Sequence, residues 1–288
     1  MNMYIDSLIS VLSFTASTVW QFLNSNFAIA FIGGFAGAIG GALGAQQIVE
    51  RSKKREERLK ELRYTNAAIM VACTICNSAL ALKKQHVQPM QESFLKAKAE
   101  LEVIKEKRDA GQIPLGEKFT FQMDMCTYPV LIVPIETLKH IMFQEIAVTG
   151  RPLALVAVIE QSFIGLTTAM AKRDQLIQRF ASGEIPESER IKYYFGLPLQ
   201  GGHMNQEFPD LVQAIYSYLN DLAFFASLLS NDLMKHGAKV REALIKKSSK
   251  KVPQVSEVDF SAAVNCGLMP PETQYSDWLS AFVDRSGQ

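Results

Sequence analysis

The chain has 288 residues, 48% of them apolar, and its 30 basic and 29 acidic residues nearly cancel. That is enough apolar material for a substantial core. The charge balance excludes a global electrostatic drive toward nucleic acid or an acidic partner. Four cysteines, Cys73, Cys76, Cys126 and Cys266, do not make a secreted disulfide framework at this length, and they suit a reducing compartment as buried thiols.

The opening, MNMYIDSLIS, holds no lysine or arginine, and the long apolar run starts only at Phe27 with a basic segment behind it. That is a stop-transfer pattern, not a cleavable leader. Within residues 1–26, Ile5, Leu8, Ile9, Leu12, Ala16, Val19, Trp20 and Leu23 recur at helical spacing, opposite Asp6, Ser10, Ser13, Ser17 and Gln21. The pattern predicts an amphipathic helix lying in the membrane interface with Trp20 at headgroup depth, or alternatively a first membrane span.

Residues 27–45, FAIAFIGGFAGAIGGALGA, contain no charged or hydrogen-bonding side chain. As a helix they would measure roughly 28 Å, close to the hydrocarbon thickness of a bilayer. Six glycines would ruin such a helix in water, whereas lipid offers the backbone no alternative hydrogen-bond partner. Gly33, Gly37 and Gly41 recur every fourth residue, with Gly40 and Gly44 as a second row. Small residues at that spacing form a groove that a second helix can approach closely, so the span is expected to self-associate.

Residues 46–63 form a basic juxtamembrane helix. Arg51, Lys53, Lys54, Arg55 and Arg58 place this flank on the cytoplasmic side and suit it to anionic lipid headgroups. The interleaved glutamates argue against nucleic acid.

Beyond it, 64–250 reads as a cytoplasmic α-helical domain. No breaker occurs between Ala45 and Pro89, and Leu59, Leu62, Asn66, Ile69, Cys73, Cys76 and Leu80 form an apolar stripe. Gln88-Pro89 is expected to end that helix, and a charged helix at 91–109, buried on Phe94, Leu101 and Ile104, to fold back as a hairpin. A proline-punctuated stretch follows, in which 118–123 alternates enough for a short strand. Three further helices are expected, over 135–148, 152–182 with proline at its start and glycine after its end, and 209–247. The 183–208 linker should turn at Gly196 and at Gly201-Gly202. The tail, 251–288, closes with Tyr275, Trp278, Leu279 and Phe282 at helical spacing, a short element expected to dock on the body. The fold class is all-α.

Chemistry is sparsely written. The runs 152–170 and 211–230 are long enough to span a membrane, yet Glu160 and Asp221 interrupt them. A charge at mid-bilayer costs about 2.5–3.5 kcal/mol, so both runs read better as core helices. If they did span, Glu160 and Asp221 would line a channel or transport path. Glu136 with His140 and Asp232 with His236 stand four apart, on one helix face, as an acid–base or ligand pair requires. A membrane-tethered enzyme would rest on these pairs. Cys73 and Cys76 have the CxxC spacing without a second pair. No phosphate-binding loop, GxSxG, HExxH or kinase set is present, and no metal or cofactor is expected.

The reading is therefore a bilayer-anchored homo-oligomer in the cell membrane (the inner membrane in a bacterium). Its bulk is cytoplasmic and meets a cytoplasmic protein partner. Such a molecule acts as a scaffold or a membrane-perturbing effector, of the kind found in toxin or antiviral modules, an analogy of layout only.

Overall fold

The computed structural model describes residues 26–114, 116–199, 201–246 and 251–282, with side-chain surroundings described at Gly41 and from Gly44 onward. The amphipathic helix expected before Asn26 lies outside these residues. The chain divides into two compact units, Met1–Arg58 and Leu59–Gln288.

In the first unit the described backbone is helical from Asn26 and belongs to α1 (Asn26–Leu82). None of the glycines interrupts it. Arg51, Lys53 and Lys54 are exposed, and Arg55 and Arg58 are half-buried.

The second unit is all-α, and among the described residues no strand forms; one isolated bridge joins Pro198 to Met204. Its first helical run holds a long buried seam. Leu62, Thr65, Ile69, Ala72, Cys76, Ala79 and Lys83 are buried, then Val87, Met90, Phe94, Ala97 and Leu101. Their spacing alternates three and four, the interval that keeps one helix face turned inward. It breaks once, between Lys83 and Val87. There a π-helical turn, Lys83–Val87, joins α1 to α2 (Gln88–Asp109). Its wider turn absorbs the extra residue and returns Val87 to the seam.

This corrects the expected stop at Gln88-Pro89. The helix neither ends nor folds back, and Gly44–Asp109 is one helical run. Gln88 stays helical (φ −66°, ψ −48°) and donates its N–H to the Lys83 carbonyl, five residues back. Pro89 falls in the first turn of α2, where its fixed φ is already helical.

The expected 135–148 helix is shorter. It consists of α3 (Ile135–His140) and a π turn, Ile141–Glu145, after which Ile146 is extended. Residues 118–123 form no strand. The segment instead lies on the helices, with Phe121, Met123, Met125 and Tyr128 packed on the core.

The core is built chiefly on α4 (Arg151–Ser182) and α6 (Glu207–Ile245), which pack along one another. A Cβ on Gly165 of α4 would stand 2.7 Å from the Tyr218 ring of α6, so the helices approach closely there. Gly183 caps α4 at φ +79°, a left-handed conformation glycine adopts without a steric penalty. The 183–208 linker contains its own helix, α5 (Glu187–Phe195), with Tyr194 and Phe195 buried.

After α6 the chain returns across the body. Asn66 donates to the Gln254 carbonyl (2.8 Å) and accepts from the Ser256 N–H (2.9 Å). Val255 packs on Gly237, within 3.1 Å of where a Cβ would stand. After α7 (Ser261–Asn265) and a 3-10 turn, Glu272–Tyr275, comes α8 (Ser276–Ser280). Tyr275 stacks on Phe224 at 3.9 Å, and Trp278 meets Phe225 at 4.9 Å. The tail is docked as its aromatic spacing predicts.

Candidate functional site

The glycine rows lie on α1. Gly33, Gly37, Gly40, Gly41 and Gly44 are all helical. The surroundings of the first three lie outside the described side chains. Gly41 and Gly44 are exposed, and a Cβ at either would meet nothing within 4 Å. At these two positions no other part of the described chain uses the small-residue face.

Two helical stretches among the described residues, Gly44–Asp109 and Arg151–Ser182, each contain an 18-residue window apolar enough to cross a membrane by length and composition. Half of the first window and 39% of the second are buried inside the protein, as core helices also are. The α6 helix does not reach the same apolarity.

The residues expected to carry an enzyme are drawn into separate pairs. Glu136 is exposed and bonds Lys139 (3.2 Å), not His140, which is also exposed. The Lys139 ammonium bonds Glu160 as well (2.7 Å), tying α3 to the N-terminal third of α4. Asp232 accepts two bonds from Arg151 at the start of α4, Nε to Oδ2 at 2.8 Å and Nη2 to Oδ1 at 2.5 Å. This parallel fork is the strong form of the ion pair. His236 meets Glu61 of α1 at 3.0 Å. Asp221 accepts from the Tyr275 hydroxyl (2.9 Å), and burial raises its pKa. Glu160, Asp232, His236 and Asp221 therefore each join one helix or segment to another, whereas Glu136 bonds within its own helix. Among the described residues no three His, Cys, Asp or Glu side chains group as a metal site.

Of the cysteines, Cys76 is buried, and burial pushes its thiol up to about 12. Cys73 is half-buried. Cys126 and Cys266 are exposed, which corrects the expectation of four buried thiols: both lie outside the core-forming helices, at the 112–134 segment and just after α7.

Sequence reasoning passed over Arg173. It lies in the charged run Lys172-Arg173-Asp174 of α4, yet it is buried. Its Nη1 donates to the Cys126 carbonyl (2.7 Å) and its Nη2 to the Asp124 carbonyl (3.1 Å). The guanidinium lies 4.7 Å from the Tyr128 ring and 5.7 Å from that of Phe208. Asp124 in turn accepts from the Tyr128 hydroxyl and the Cys126 N–H, while its own N–H donates to the Tyr194 hydroxyl. This network secures a segment that has no ladder of its own. No local signal marks it, because Asp124 and Arg173 are 49 residues apart.

No family model, curated protein or solved structure matches the chain.

Proposed function

We propose that the chain is a membrane-anchored helical protein that self-associates through its glycine-patterned span and uses its cytoplasmic body to bind a protein partner. It acts as a scaffold or a membrane-perturbing effector. The observation carrying this reading is residues 27–45, an uncharged stretch with glycines every fourth residue, set within the unbroken helix α1. The open space at Gly41 and Gly44 among the described residues supports it, since a small-residue face left open can meet another copy.

The basic residues Arg51, Lys53, Lys54, Arg55 and Arg58 hold the flank to anionic headgroups, each contributing about 1 kcal/mol near the surface. The body offers the partner exposed apolar side chains, with Val130 76% and Ile132 87% accessible. With Glu160 bonded to Lys139 and Asp221 to Tyr275, both carboxylates have partners inside a packed body.

Cysteine-accessibility labelling in intact cells tests the topology. On a background without Cys126 and Cys266, single cysteines placed in 46–63, 90–110 and 183–208 should all react only from the cytoplasmic side. Labelling from outside at any position between 183 and 208 would mean that 152–170 crosses the membrane, and the proposed arrangement would fall.

A further inference from the structure

A cavity of about 210 Å³ lies between the π turn, one face of α6 and the segment that follows α7. Its polar lining includes Lys83, Gln213, Tyr216, Ser217, Asn220 and Gln274. Two of these are unusual. Lys83 is 2% exposed. Its ammonium donates to the Leu268 carbonyl (2.5 Å) and lies 5.2 Å from the Tyr216 ring, but it forms no ion pair among the described residues. Asn220 is 8% exposed, and its Oδ1 has no hydrogen-bond partner among the described residues. None of the lining residues is acidic. Asp221, next in sequence, is bonded to Tyr275.

A buried cation without a counter-charge is costly, and so is a buried carboxamide oxygen without a donor. Burial accordingly lowers the Lys83 pKa. Such unmet groups gathered at one cavity mark a binding site more readily than a structural one. The volume equals that of about seven liquid waters at ~30 Å³ each, below the drug-sized range.

We propose that this cavity binds a small organic anion, a hydroxy or amino acid. Its carboxylate pairs with the Lys83 ammonium, and its hydroxyl or amine donates to the Asn220 carboxamide. The bound molecule would link three segments, the π turn, α6 and the 267–274 stretch. The inference holds whether or not α1 spans a membrane.

The test is a panel of lactate, glycerate, alanine and serine beside their amides, at millimolar concentration. Thermal shift and calorimetry on the full-length protein in detergent provide the readout. At least one acid should raise the melting temperature while its amide does not. Lys83→Met should weaken that binding by more than about tenfold, the loss of one charge-assisted bond. Because Lys83 is also a core residue, Gln213→Glu supplies the second variant. Gln213 is exposed at the rim, so the fold should be kept while the added charge repels the anion. Binding of no acid, equal binding of acid and amide, or parent-like binding by Gln213→Glu would each overturn the proposal.

Discussion

Arg173→Met should destabilise the helical body by about 2–3 kcal/mol, as read by denaturant unfolding of the whole 288-residue chain in detergent. Methionine replaces much of the stem's volume and removes the guanidinium. The Cys126 and Asp124 carbonyls then lose their donors, and each unpaired buried acceptor costs about 1–3 kcal/mol. Part of this is offset, because the Arg173 Nε has no partner among the described residues, but the Asp124 carboxylate also loses the guanidinium 3.6 Å from its Oδ1. The Asp124 side chain keeps Tyr128 and Cys126 as partners. The damage should therefore centre on the 112–134 segment, and proteolysis there should accelerate before the helices unfold. Parent-like stability and proteolysis would show that the segment is held by its aromatic packing alone.

Phe208→Ala should cost more, about 3–5 kcal/mol, the range for removing a buried aromatic ring. Phe208 sits at the start of α6, 4.4 Å from the Tyr194 ring, 6.1 Å from that of Phe180 and 6.3 Å from that of Phe94. It thereby joins α2, α4, α5 and α6 around one cluster, and little can close the gap without moving a helix. Because Phe208 also lies against the Arg173 guanidinium, the two substitutions share a contact. Their double variant should lose less than the sum of the singles, and strict additivity would rule that contact out as a source of stability.

Helix periodicity was legible where it was sustained. The start and stop of α4 follow from Pro152 and Gly183, while α6 begins two residues ahead of Pro209, at Glu207; the docking of Tyr275 and Trp278 follows from their spacing. Readings that relied on one local rule failed where the fold overrode it. Proline reads as a terminator, but at Pro89 the π turn had already rearranged the bonding. Alternation at 118–123 reads as a strand, but a strand needs a partner, and none of the described residues pairs with it; just beyond it, Arg173 and the Tyr194 hydroxyl take the backbone groups of Asp124 and Cys126. The pairs Glu136/His140 and Asp232/His236 are at the correct spacing for a shared face. Longer-range partners, Glu160, Arg151 and Glu61, take Lys139, Asp232 and His236 instead. No short window of sequence displays those partners. The juxtaposition of Lys83 with Asn220 escaped for the same reason, since their shared cavity is completed by the 267–274 segment.

The central claim is that the glycine face brings copies of the chain together, and Gly37→Ile tests it most directly. Isoleucine is favourable at a helix centre in lipid, so insertion should be kept. Its bulk holds the helix axes apart and removes the van der Waals contacts on which close packing depends. Cross-linking in native membranes at matched expression should give oligomers for the parent and for the volume-conserving control Leu43→Ile, and a marked loss for Gly37→Ile. If Gly37→Ile cross-links like the parent, the span is an anchor only and the account of its self-association is wrong.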